Sequence, residues 1–262
     1  MLRNLLFIVG FVGLASACFG QDRPPDLVAI KAAAEAGDAK AQFEYGNAIP
    51  STRTAEQLDW FYRSARAGYG PAEEALGSHF STPLVLDRQK NLANMRESAR
   101  WSSRAAYHGF SSAQFRIAQF YQRGEVLPKD RVAAYLWMRI AVADNRGSFG
   151  MIHKGYLDQL ITEMTSSEIS EAENRFRIFR PQVAAGLNPV EADLFFAQVQ
   201  LGSIYTVNGV HQAVVNNIRF SQGETKALNL AGDSVRVVCL GIEGSSVLLG
   251  IADTPYTRWV KR

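Results

Sequence analysis

One short phrase, written three times, constrains this 262-residue chain more than any other feature. Aligned on a glycine, "AGDAKAQFEYG" from Ala36, "AGYGPAEEALG" from Ala67 and "HGFSSAQFRIA" from His108 agree place by place. Four places after the glycine stands an alanine: Ala41, Ala72 and Ala113. A large residue follows at the eighth place (Tyr45, Leu76, Ile117), a small one at the ninth (Gly46, Gly77, Ala118) and another large one at the twelfth (Ile49, Phe80, Tyr121). Steps of four run along one face of a helix, so the phrase encodes one helix three times over. The segments before the glycines also repeat. "WFYRSARAG" ends at Gly68 and "WSSRAAYHG" at Gly109, with Trp60 and Trp101 each eight residues earlier, and "YLWMRIAVADN" repeats the pattern around Trp137. Each unit is therefore a helix A, a loop, a helix B carrying tryptophan, and a glycine that ends helix B. Glycine suits that position because it takes the left-handed conformation without a Cβ clash. The small residues let helices A and B approach closely, and the tryptophans are expected in the core.

The glycines lie 31 and then 41 residues apart, bracketing the period of helical-hairpin repeats. The longer gap holds an insertion, "STPLVLDRQKNLANM", between helices A and B of the second unit. The third unit has the fullest loop, with Gly124 and a helix-starting Asp130, and the first loop, "PSTRTAEQ", is clipped. This pattern resembles the Sel-like repeat (SLR), a relative of the tetratricopeptide repeat, over residues 26–146 in three units with a partial helix, "LVAIKAAAEA", ahead of them. Residues 150–181 read as a closing, polar-backed helical pair, with Ser167 as the cap of its second helix and Pro181 as its stop.

After "AAGLNPVEADLFFAQVQ", a Gly/Pro-marked joint with one short helix, the period changes from helical to alternating. "SIYTVNG", "QAVVNNIRF", "TKALNL", "SVRVVCLGI", "SSVLLGIA" and "TRWVKR" read as six short strands separated by turn residues, a small sheet or barrel. The segment "VVNNIRFSQGE" followed by "VRVVCLGIEGSSVLL" is similar to the small β domain of type II secretion and type IV pilus assembly proteins, with Asn217 in place of the usual glycine. The expected fold class is α+β, mainly α: a right-handed α-α solenoid of helical hairpins followed by a small all-β domain. The expected divisions are a signal peptide over 1–20, the solenoid over 21–146, capping and linker helices over 147–197, and the β domain over 198–262.

The amino terminus carries the export reading. Arg3 precedes an almost wholly apolar run over residues 5–15, and Ala15-Ser16-Ala17 is a small-x-small cleavage pattern. The run is too short to span a bilayer, which takes roughly 20 residues, and no second span follows. Cys18 is a candidate lipidation site. Leu14 lies one place too far from it for the commonest lipobox, so ordinary cleavage near Ala17 or Gly20 is the favoured alternative. The mature chain is expected in the periplasm or on the envelope. Cys239, inside "VRVVCLG", reads as a buried small hydrophobe, leaving no internal disulfide.

Composition excludes more than it selects. The hydrophobic fraction of 47% supports a core, and a net charge of +3 spread along the chain leaves no footprint for nucleic acid. His79, His108, His153 and His211 fall in different units without metal-ligand spacing. No nucleophile elbow, P-loop, dinucleotide fingerprint or HExxH motif occurs. Neither a catalytic group, a metal nor a cofactor is expected. By analogy with the tetratricopeptide concave face, ligand-facing side chains belong at the sixth, tenth and thirteenth places after each glycine. Those places hold Phe43, Asn47, Glu74, Ser78, Phe115, Gln119 and Gln122. The resemblance implies a non-catalytic interaction or adaptor protein whose partner is an envelope protein or peptide, with an edge strand of the β domain as a second contact. Two alternatives stand beside it: a component of a secretion or pilus system, and a cell-wall or β-lactam-acting enzyme. The enzyme alternative comes from exported SLR proteins with disulfide-paired hairpins that are linked to β-lactam binding or hydrolysis, and this chain lacks their paired cysteines.

Overall fold

The computed structural model describes residues 26–81, 88–144, 148–179, 187–230 and 233–262; the expected signal peptide, Cys18 and Pro181 lie outside them. Within the described residues ten α-helices precede seven strands. The helices are α1 (Leu27–Glu35), α2 (Ala39–Ala48), α3 (Thr54–Arg66), α4 (Gly70–Ser81), α5 (Arg88–Tyr107), α6 (Ser111–Arg123), α7 (Arg131–Asp144), α8 (Ser148–Thr162), α9 (Ser166–Ile178) and α10 (Pro189–Phe196). Helices α2, α4, α6 and α8 take the A position of successive hairpins; α3, α5, α7 and α9 take the B position.

The three repeat glycines make the same turn. Gly37, Gly68 and Gly109 have φ of 98°, 81° and 89°, the left-handed region that side chains resist. In each case the glycine N–H donates to the carbonyl three residues back, and the next residue's N–H donates to the carbonyl five residues back. These are the paired bonds of a Schellman ending, which satisfy carbonyls that the helix leaves free. A helical run is thereby cut and reversed without loss of backbone hydrogen bonds.

Close approach follows at the small places. A Cβ on Gly77 would lie 2.5 Å from Ser102 Oγ and 3.1 Å from the Ser102 backbone nitrogen; one on Gly46 would meet the Phe61 ring at 2.9 Å. Ala72, Ala113 and Ala118 are fully buried. Serines on helix B fasten the seam: Ser64 Oγ donates to the Ala39 carbonyl at 2.5 Å, and Ser98 Oγ to the Gly77 carbonyl at 2.7 Å. Trp60, Trp101 and Trp137 lie in the core, with edge-on contacts to Tyr45, Tyr62 and Tyr107 respectively.

The helical region departs from the sequence reading in three places. The latter half of the insertion is helix: α5 begins at Arg88 and runs 20 residues, because "RQKNLANM" is mostly straight-chain helix formers and Leu92 and Met95 pack against the main core. The cap of α9 is Thr165, in a reciprocal capping box with Glu168, which leaves Ser167 inside the first turn. The closing pair is not polar-backed throughout, since α8 exposes Met151 (74%), Ile152 and Tyr156.

The strands are β1 (Leu201–Val207), β2 (Val210–Val215), β3 (Ile218–Ser221), β4 (Thr225–Leu230), β5 (Asp233–Glu243), β6 (Ser246–Ile251) and β7 (Thr257–Lys261). They form two antiparallel sheets, β1-β2-β3 and β4-β5-β6-β7. The run "QAVVNNIRF" is two strands, not one, because Asn216 and Asn217 turn the chain with φ of 47° and 64°. Asparagine tolerates that region better than other side chains. Asn217→Val is accordingly expected to cost about 1–2 kcal/mol in urea unfolding, and Asn217→Gly to cost nothing. The two sheets share one core, with Ala213, Val215 and Phe220 facing Leu228, Val237, Cys239, Val247 and Leu249. Cys239 is fully buried there, and burial pushes its thiol up. Helix α10 adds Ala192, Phe195 and Phe196 to this core.

Candidate functional site

The sixth place of each repeat is a joint between units. Phe43 is half-buried, 5.3 Å from the Phe61 ring and 5.6 Å from Tyr69. Glu74 accepts from Ser112 Oγ at 2.7 Å and pairs with the Arg116 guanidinium, tying α4 to α6. Phe115 stacks on His153 at 4.5 Å and meets Tyr156 at 5.1 Å, tying α6 to α8. The tenth and thirteenth places differ. Asn47 and Ser78 are exposed, and Gln119 and Gln122 are half-buried with their edges at the surface.

Gln119 lines a cavity of about 220 Å³ between α4, α5 and α6. Phe80, Met95 and Phe120 give it an apolar lining, and its polar lining mixes the amides of Asn91 and Gln119 with the cations Arg116 and Arg123, the Glu125 carboxylate and the Ser81 hydroxyl. Arg116 is held in place by Glu74 and by Ser102 Oγ, to which its Nε donates at 2.9 Å. Arg123 is exposed at the last turn of α6, where a cation complements the helix dipole. The space suits one large side chain rather than a whole small-molecule ligand, which takes roughly 300 Å³ or more. Sequence reasoning found Gln119 but missed Asn91 and Met95. Both come from the inserted segment, and its helix-forming composition was the available signal.

On α8, Tyr156 meets Phe115 edge-on, and Ile152 is exposed. His153 is buried under that ring and bonded to the Ala141 carbonyl, and burial lowers its pKa. It is a neutral packing group in this setting.

A second polar cluster joins the helical stack to the β unit through α10. Asn188 caps α10 in a capping box with Glu191, and its side chain donates to Ser103 Oγ at 3.3 Å. Glu191 accepts from Arg104 Nε at 2.6 Å, and Asp193 accepts from the Tyr121 hydroxyl at 2.6 Å and pairs with Arg258 of β7. Burial and the Asp193 carboxylate both push the Tyr121 phenol well up. A shallow cleft of about 210 Å³ lies over this cluster, between Arg100, Arg104, Glu191 and the apolar Leu187, Leu194 and Val235.

His79 packs edge-on against Phe80, and His211 lies 2.9 Å from Thr206 Oγ1. Among the described residues no group of three His, Cys, Asp or Glu side chains is arranged to hold a metal ion.

No protein-family model matches the sequence, and no curated protein matches it. Solved structures are similar to it, two of them Sel-like repeat proteins. One is a Sel1 repeat protein from Oxalobacter formigenes, 28% identical, with 51% of this chain and 98% of that one covered and a TM-score of 0.43. The other is c5321, a protective antigen present in uropathogenic Escherichia coli strains and displaying an SLR fold. It is 17% identical, with 70% of this chain and 53% of that one covered and a TM-score of 0.27.

Proposed function

We propose that this chain is an exported, non-catalytic interaction protein that holds a protein or peptide partner against the row formed by α2, α4, α6 and α8. The observation that carries the reading is the cavity beside Gln119, between α4, α5 and α6; the exposed Ile152 and Tyr156 of α8 add apolar surface to the same row. A partner's aromatic or long aliphatic side chain would fill the cavity, while Gln119, Gln122, Ser78 and Asn47 would bond its backbone. Stacked hairpins suit this task because they offer a long continuous surface without any reactive group. The β unit would add a second contact at an open sheet edge, β1 or β7, or at the exposed Leu240 and Trp259 of its outer face. The envelope location rests on the apolar leader and the Ala15-Ser16-Ala17 pattern. No described helix is long and apolar enough to cross a membrane.

The test is paired capture from an envelope fraction with the wild-type chain and a Gln119→Ala/Arg123→Glu double variant of unchanged helical signal. A species retained by the wild type should be lost, or weakened at least tenfold, with the variant. Equal retention by both would remove the cavity from the account. Intact-mass measurement of the exported chain separates the two N-terminal outcomes: a start after Ala17 or Gly20, or a lipidated Cys18.

A further inference from the structure

The fifth place after each repeat glycine holds Gln42, Glu73 and Gln114. All three are buried, Glu73 at only 2% exposure. The two glutamines do one job. Gln42 Nε2 donates to the Ala34 carbonyl at 3.2 Å, and Gln114 Nε2 to the Ala106 carbonyl at 3.3 Å. Each of those carbonyls belongs to the residue three places before the glycine, so the amide stitches helix A to the end of the preceding helix B. In the middle unit the corresponding carbonyl is Ala65, and the corresponding side chain is a carboxyl. A carboxylate has no proton to donate; the neutral acid has one.

The charges around Glu73 leave it short of a partner. His108, in the turn after α5, puts Nε2 3.4 Å from Glu73 Oε2, an atom that accepts no hydrogen bond among the described residues. The His108 ring is packed against Gly70, and burial lowers its pKa. On the same helix Glu74 is taken by Arg116. Among the described residues the cation that pulls on Glu73 is Arg104 of α5, and Glu191 of α10 already holds it at 2.6 Å. Two buried carboxylates thus face one guanidinium. Ionising both leaves a buried charge uncompensated, which is costly.

We propose that Glu73 is a proton-operated latch. Protonated, it donates to the Ala65 carbonyl as Gln42 and Gln114 donate to theirs, and Arg104 belongs wholly to Glu191. Ionised, it draws Arg104 away from Glu191 and loosens α10, and with it the β unit, from the helical stack. The electrostatics agree in direction: burial pushes the Glu73 carboxyl from 4.5 up to about 7, against the pull of Arg104 and with the push of Glu191. A carboxyl raised in the folded state gives stability that is fully present below its unfolded value and is lost as pH rises through its folded value. The working window is therefore about pH 4.5 to 7.

Glu73→Gln fixes the donor in place, and the test is urea unfolding of the full chain and this variant from pH 5 to 9. The folding equilibrium constant of the variant relative to wild type is expected to rise roughly tenfold per pH unit up to about pH 7 and to level off above it. Hydrogen exchange of the α10 amides, corrected for intrinsic rates, should quicken across the same window in wild type and stay level in the variant. A flat ratio, or α10 protection that changes with pH equally in both proteins, would overturn the proposal. Should Glu73→Gln fail to fold, Glu191→Gln serves instead. It preserves an acceptor for the Asn188 N–H and frees Arg104 for Glu73, so the pH-dependent loss should move to lower pH. An unmoved profile would overturn the latch.

Discussion

Gly77→Val is expected to destabilise the chain by about 3 kcal/mol or more, the upper range for overpacking a tight contact. The reason is geometric. The first added carbon already falls 2.5 Å from Ser102 Oγ and 3.3 Å from the Ser102 Cα, so backbone as well as side chain must move. Ser102 sits in the C-terminal half of α5, the longest of the described helices, which packs against α4, α6 and α10. Separating α4 from α5 therefore disturbs two hairpins and the joint to the β unit. Gly155 on α8 is the internal control, because a Cβ there meets nothing within 4 Å. Gly155→Ala is expected to gain up to about 1 kcal/mol from helix propensity alone. Urea unfolding followed by circular dichroism measures both, and similar costs at the two glycines would contradict the close-packing account.

Asp193→Ala is the second large effect, expected at about 2–3 kcal/mol. The substitution leaves the buried Tyr121 hydroxyl without its acceptor and Arg258 without its carboxylate. Those two partners belong to α6 and β7, so one carboxylate bridges the helical stack and the β unit. Its loss is expected to uncouple them and turn a single thermal transition into two. Tyr121→Phe combined with Asp193→Ala isolates the shared bond, since the double variant should cost less than the sum of the singles. A truncation after residue 197 would fail for a related reason: it strips the sheet from Phe195 and Phe196, which lie in the β core.

The helical hairpins were legible because their signals are local. A glycine at the end of a helix and alanines four places later act within one or two turns, and each repeat restates them. Which helix face meets the next unit depends on how the hairpins stack, and no single repeat contains that information. Phe43, Glu74 and Phe115 read as ligand-facing from the repeat alone, and the structure adds that each also contacts the neighbouring unit. The cavity beside Gln119 draws Asn91 and Met95 from the inserted segment, where the repeat offers no template. Asn216 and Asn217 were hidden by the alternation on either side of them, although two asparagines in succession are a turn signal in their own right. Glu73 was visible all along: setting the three phrases in register shows a carboxyl where its neighbours have amides. Its meaning needed the carbonyls of Ala34 and Ala106, which only the structure supplies.

The central claim is that a partner lies along the row of A helices, and site-specific photocrosslinking in the cell of origin tests it most directly. A benzophenone side chain at position 119 or 47 should give one discrete adduct that recurs at both sites. The same probe at position 66, on the exposed end of α3 in the B row, should give none. An adduct of equal yield from position 66, or none from 119 and 47, would contradict the account.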